Sequence, residues 1–293
     1  MSLLHNPYSR FALVSLFCFS LSSTLPQLAT AQKEAKQKET KIEAKQEDDS
    51  KNWINADRPG IADGSTVIGT RRFQIELGYQ NEYRKDGTDT NRLQFAPLLL
   101  RFGIDSHLEF RVESNFVTFS RQTSVPNGTT KTDGFSPASF GVKWQFQEQK
   151  ETGKKASLGT IVRVYPASGS SDFKQNHTTG DIRLAADWDF TPNLSLNPNL
   201  GIGFYEDGNG ETYTTGTLAM TLNYWNRAHK INPFLDFGLI APEERNGHSS
   251  LIFDTGVAFI LGPNVQLDFS VGTGSLGRTS PHPFISTGLS IRF

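Results

Sequence analysis

The sequence predicts an all-β fold: an antiparallel up-and-down transmembrane β-barrel of about 12 strands, an even number as closure requires, with a short charged N-terminal arm. Three observations predict it. Apolar and polar residues alternate with period two in run after run from Arg71 onward. The connections between runs tend to alternate between short and long. The last run, Pro283 to Phe293, has Ile285, Leu289, Ile291 and Phe293 at one parity and Ser286, Gly288, Ser290 and Arg292 at the other. Period-two alternation makes one face of a strand apolar and the other polar. A barrel strand ending on an aromatic residue suits an interfacial girdle.

Bulk composition agrees. The chain has 293 residues, 36% of them apolar, and a mean hydropathy of −0.41. That value excludes several membrane-spanning helices but not a barrel, which needs only half of each strand to be apolar. A net charge of −1 excludes a nucleic-acid partner, because neutralising phosphates takes a basic excess.

Residues 1–31 read as a cleavable signal peptide, which implies export to the cell outer membrane. Arg10 precedes the apolar run Phe11 to Leu21, and Ala29-Thr30-Ala31 supplies a small-residue cleavage site before Gln32. The single cysteine, Cys18, lies inside this stretch. The mature chain is therefore expected to have no disulfide and no thiol chemistry. Residues 32–54 form a charged linker or arm. Lys33 to Lys51 is rich in Lys, Glu, Gln and Asp and has no aromatic residue, so it cannot bury a core.

Residues 55–293 are assigned to the barrel. Phe73, Ile75, Leu77 and Tyr79 alternate with Gln74, Glu76, Gly78 and Gln80, and Leu108, Phe110 and Val112 with Glu109, Arg111 and Glu113. Phe140, Val142, Trp144 and Phe146 alternate with Gly141, Lys143 and Gln145. Equivalent runs follow from Leu158, Ile182, Leu194, Leu218 and Val265. Leu93 to Phe102 carries Pro97, where a bulge and a change of parity are expected. Ile231 to Ile240 and Ser249 to Leu261 are partly apolar on both faces. With the first strand running upward from the periplasm, Lys85–Thr90, Arg121–Gly134, Ala167–Gly180 and Gly272–His282 become external loops. Phe293 then falls at the periplasmic rim, beside the strand near Phe73–Tyr79.

The stretch Asn55-Ala56-Asp57-Arg58-Pro59-Gly60 followed by Phe73–Tyr79 resembles a large bacterial family labelled as phenol-degradation meta-pathway outer-membrane transporters. So do Pro97–Ile104 with Leu108–Arg111, and Gly141-Val142-Lys143-Trp144. The resemblance covers Asn55 to Phe293. It implies an outer-membrane β-barrel that moves small, hydrophobic or aromatic, compounds.

The polar parity supplies the candidate site. Glu76, Arg101, Glu109, Arg111, Glu113, Lys143, Arg163, Arg183 and Asp187 are expected to face the lumen with both signs interleaved. Such a set either selects solutes by charge or pairs internally and stiffens the wall. Asp57, Arg58 and Pro59 form either a gate or plug in the lumen or a turn at its rim. Enzyme signals are poor. Gly272-Thr273-Gly274-Ser275-Leu276-Gly277 matches G-x-G-x-x-G but opens no helix. His107, His177, His229, His248 and His282 are scattered. No catalytic residue, metal or cofactor is expected. The expected partners are the outer-membrane bilayer, a small-molecule solute, and the outer-membrane assembly machinery reading the C-terminal strand. The function read here is a channel for small molecules. The alternatives are a barrel hydrolase acting on lipid or peptide, and a structural or adhesion barrel with a blocked lumen.

Overall fold

A computed structural model describes Asn52–Phe293, except Pro126, His229 and Gly277–Thr279, together with Lys33, Lys36 and Lys38. The expected signal peptide and nearly all of the charged arm, and Gly277 of the glycine motif, lie outside the described residues. The chain divides into two units, Met1–Lys51 and Asn52–Phe293, and the second carries the fold.

Among the described residues, fifteen strand segments form one antiparallel sheet. They are β1 (Phe73–Asp86), β2 (Asp89–Phe95), β3 (Leu98–Gly103), β4 (Leu108–Ser114), β5 (Val117–Ser124), β6 (Gly128–Phe135), β7 (Ala138–Gln147), β8 (Ser157–Tyr165), β9 (Thr179–Asp189), β10 (Leu194–Glu206), β11 (Thr212–Tyr224), β12 (Ile231–Ala241), β13 (Ser250–Gly262), β14 (Val265–Ser275) and β15 (Phe284–Arg292). The segments β2/β3, β4/β5 and β6/β7 each continue one strand across a short interruption, so twelve strands go around the barrel. Closure is made by β15 on β1, from Gln74 opposite Arg292 to Glu82 opposite Phe284. Phe73 and Phe293 exchange backbone hydrogen bonds at the end of this seam. A closed ladder leaves no unpaired edge, which a hydrocarbon environment requires.

The sidedness is inside-out. Arg101, Arg111 and Lys143 are among the largest fully buried side chains, whereas Leu200 is 63% exposed and Phe204 57%. The apolar parity thus forms the outer surface and the charged parity the interior. Near the rim that carries Phe73 and Phe293, Phe293, Phe73, Phe102 and Phe110 follow one another around the outside with ring centroids 4.6–6.2 Å apart. Trp144–Phe146 and Trp188–Phe190 extend this belt, as expected at a membrane interface.

Two sequence expectations change. Lys85–Thr90 and Arg121–Gly134 are not long loops. β1 and β2 run to a turn at Gly87-Thr88, and β5 pairs with β6 from Val117–Phe135 to Ser124–Gly128. These polar stretches pair beyond the apolar belt, where both faces meet water and no alternation marks them. Pro97 also causes no change of parity. Gln80 pairs with Phe95 and Leu77 with Leu98, so equal numbers of residues separate the two pairs on both strands. The missing Pro97 N–H interrupts the ladder, while its carbonyl still accepts from Gly78 N. Phe95 and Leu99 consequently stay on the inward parity with Arg101.

The outward position of Leu289, midway along β15 between Leu77 and Leu267, tests the sidedness. Leu289→Arg is expected to lower unfolding stability in lipid by about 2–4 kcal/mol, measured by denaturant titration in liposomes. A neutral result would contradict a lipid-facing surface.

Candidate functional site: an occupied lumen

The segment Asn52–Arg72 lies inside the barrel. It starts at the rim that carries Phe293. There the Arg292 guanidinium donates to the carbonyls of Asn52 (2.6 Å) and Trp53 (3.3 Å), and Ile54 N donates to Pro263 O (2.7 Å). It finishes at the same rim, where Arg71 N donates to Gly103 O (2.8 Å). Between these points it rises, turns around Pro59–Ala62 and descends. The two legs are linked by Gly64 N donating to the Asp57 carboxylate (3.0 Å).

The strands around it present two unlike walls. Arg101 (β3), Arg111 (β4), Lys143 (β7), Arg163 (β8) and Arg183 (β9) stand on consecutive neighbours in the sheet and form a wall that gathers the lumen's cations, interleaved with Glu109, Glu113, Asp181 and Asp187. Asp236 (β12), Asp254 (β13) and Asp268 (β14) form an acidic one. The segment matches both. Asp57 meets Arg111 Nη1 at 2.5 Å, Lys143 Nζ at 2.8 Å and Arg101 Nη1 at 3.7 Å. Asp63 meets Arg163 at 2.7 Å, Arg183 at 3.0 Å and Arg111 at 3.1 Å. Arg58 points the opposite way, to Asp268 (3.2 Å) and Ser286 Oγ (2.9 Å). Its guanidinium lies over Gly78 and Gly288, which are direct partners across the closure seam, and a side chain at either would collide with it. These two glycines leave the space that Arg58 fills.

Backbone groups of the segment are satisfied by the wall as well. Arg58 N donates to Glu76, Ile61 N to Asp236, Asp63 N to Asn199, Ser65 N to Asp187 and Ile68 N to Glu109, all at 2.8–3.0 Å. A loop with no secondary structure of its own can be enclosed only when its polar groups find partners in this way.

All nine lumen candidates read from the sequence face the interior, and they pair densely. Arg101 makes a two-pronged bond to Glu109 (2.9 and 3.0 Å), and Glu113 lies 2.8 Å from Arg111 and 2.9 Å from Arg163. Arg163 also reaches Asp181 (3.1 Å). Asp57 and Arg58 sit at the centre of the lumen, with Pro59 at the segment's turn. Sequence reasoning missed Asp63, whose one signal was its place in the same short segment as Asp57. It also missed Asp254, on a strand apolar on both faces.

Burial raises the proton affinity of the Asp57 carboxyl, but Arg101, Lys143 and Arg111 override it and hold Asp57 well below the usual carboxylate range. Asp63 behaves alike under Arg163, Arg111 and Arg183. Above the segment's turn is a cavity of about 430 Å³. Pro59, Gly60 and Ile61 make its floor, and Tyr205, Tyr213, Phe284 and Asp254 are among its walls.

A closed antiparallel barrel with an apolar outer belt and a charged interior defines the outer-membrane β-barrel class. The chain belongs to the family described as "Putative MetA-pathway of phenol degradation", whose model matches residues 56–293. An outer membrane channel from Pseudomonas putida F1 superposes with a TM-score of 0.60 at 12% identity, over 80% of this chain and 99% of that one. The beta domain of the Bordetella autotransporter BrkA gives 0.50 at 12% identity, over 76% and 99%. No curated protein sequence matches.

A depressed carboxyl stabilises the docked state above its unfolded value, and that contribution is lost as pH falls toward the depressed one. A spin label at the exposed Asn55 is therefore expected to stay immobile through pH 4 and to loosen only well below it. Asp57→Asn, which leaves buried cations uncompensated, is expected to weaken docking by about 3–5 kcal/mol and to mobilise the same label at neutral pH. Release at pH 5, or an immobile label in the variant, would rule out the carboxylates as the anchor.

Proposed function

We propose that the protein is an outer-membrane channel for small molecules whose lumen is closed at rest by Asn52–Arg72. In this reading the chain is exported on residues 1–31 and inserted by the outer-membrane assembly machinery, which reads the strand ending at Phe293. The Phe73–Phe293 rim then faces the periplasm. The observation that carries the proposal is the way the lumen is filled. A segment that runs directly into β1 fills it, held mainly through ion pairs and hydrogen bonds, with Ile54, Ala62 and Ile68 buried beside them.

Asp57 and Arg58 are the latch on the two walls, and Pro59 fixes φ at the turn. Glu76, Glu109 and Asp187 receive the segment's backbone. Arg101, Arg111, Glu113, Lys143, Arg163 and Arg183 hold its carboxylates or each other, and they line the passage once it moves aside. Transport is passive, and Tyr205, Tyr213, Ile240, Ile252 and Phe284 on the otherwise polar walls of the upper cavity suit solutes with a hydrophobic or aromatic part, in keeping with the phenol degradation of the family description. The occupied lumen also supports a second reading, a barrel closed permanently for a structural role.

Conductance in planar bilayers separates the two. Wild-type protein is expected to show rare openings, and the Asp57→Asn/Asp63→Asn variant a severalfold higher open probability. In the opened variant Arg111→Gln is expected to shift ion selectivity toward cations. Heat-modifiable migration on gels confirms that each variant is folded. Folded variants without conductance or solute flux would leave the structural role.

A further inference from the structure

We propose that the upper cavity holds a binding site for a solute bearing an ammonium group on an aromatic or apolar body, centred on Asp254, which lines the cavity, with its cross-strand partner Asp236 behind it. The proposal rests on the channel reading for its role in transport, but the site itself stands on geometry.

Asp236 and Asp254 are direct partners across β12 and β13 and point inward on the same face. Both are more than nine-tenths buried, at 4% and 7% exposure. Among the described residues no Lys, Arg or His forms an ion pair with either. One oxygen of each, Asp236 Oδ1 and Asp254 Oδ1, has no hydrogen-bond partner, and neither has the Ser270 hydroxyl beside them on the cavity wall. Buried polar atoms left without partners are expensive, and the other acidic side chains of the lumen that the segment touches are matched by guanidinium, ammonium, amide or hydroxyl donors, as Asp187 is by Ser65 and Asn197. The cations that line the cavity are already engaged, Arg84 with Glu82 (2.7 Å) and Arg183 with Asp63 (3.0 Å). The two carboxyls also hydrogen-bond each other, which takes one shared proton, so the pair is an acidic spot with at most one negative charge and no cation of the described residues paired to it.

The surroundings choose the ligand's chemistry. Two carboxyls and two hydroxyls, those of Ser270 and Thr221, fall short of the six or more oxygens that calcium takes. No group of three acidic, histidine or cysteine residues is arranged for a metal among the described residues. An ammonium needs only two or three acceptors. Phe284 stands against Asp254 above Gly272, where a larger residue would displace both. Its ring provides a π face beside the carboxyls, and Tyr205, Tyr213 and Ile252 complete a wall for an apolar body. Asp236 also accepts Ile61 N of the closing segment (2.9 Å). An ammonium bound at Asp254 would therefore sit beside the cross-strand partner of the carboxyl that holds the segment's tip.

Equilibrium binding of phenethylammonium, its neutral analogue 2-phenylethanol and the anion phenylacetate to the purified full chain in detergent tests this. Binding needs no open lumen, so it is read independently of conductance. Phenethylammonium is expected to bind about tenfold or more tighter than the other two. Asp254→Asn and Asp236→Asn are each expected to remove that preference while heat-modifiable migration is kept. Equal binding of the three probes, no binding of any, or an undiminished preference in Asp254→Asn would overturn the site. A preserved preference in a protein that never conducts would overturn the channel reading and leave this one standing.

Discussion

The structure depends on a match of sign between one short segment and the two walls around it. The inward cations Arg101, Arg111, Lys143, Arg163 and Arg183 stand on β3, β4, β7, β8 and β9 among Glu109, Glu113, Asp181 and Asp187, whereas β12, β13 and β14 carry Asp236, Asp254 and Asp268 and no Lys or Arg. Enclosed charges persist only when opposite charges and hydrogen bonds compensate them. Asp57 and Asp63 compensate the first wall and Arg58 the second. The direction of the segment, its depth and its turn all follow from having these three residues reach opposite sides at once.

For a lumen that opens as proposed, this arrangement lets the same charges be firm when docked and still releasable. Removing a single carboxylate with the segment in place strands cations that water cannot reach. Withdrawing the whole segment is a different process. Arg101 keeps Glu109, Arg111 keeps Glu113, and Arg163 keeps Asp181, while water replaces the lost contacts. A lumen packed with apolar side chains would gain no such hydration on opening and would stay shut. The glycine pair at positions 78 and 288 belongs to the same logic, since the wall gives up two side chains to receive one guanidinium.

Much of the barrel was legible in the sequence because lipid and lumen impose opposite demands on alternate residues. That alternation marked the strands, and its polar parity placed Glu76, Arg101, Glu109, Arg111, Glu113, Lys143, Arg163, Arg183 and Asp187 inside. Where the environment is the same on both faces, the signal vanishes, and β5 and β6 looked like a loop. Pairing across the lumen was not legible either. Sequence spacing says nothing about which residues meet over a barrel, so Asp57-Arg58-Pro59 read equally as a rim turn. Asp63, outside any strand, carried no periodicity at all.

The segment covers the walls unevenly, and that matters for the space above it. At its turn it offers Ile61 N to Asp236 and no positive side chain, because Arg58 is already committed to Asp268 two strands further on. Asp254, directly across from Asp236, therefore faces the cavity with an oxygen unmatched. The wall that the segment neutralises fully lies beside its legs, and the wall that it leaves short of charge lies above its tip. In the proposed channel, a solute arriving from the far rim would meet Asp254 before the closing segment. A cation settling there would lie beside Asp236, the cross-strand partner of Asp254 and the carboxyl that holds the tip, so charge in the cavity and closure of the lumen would be linked through this neighbouring pair.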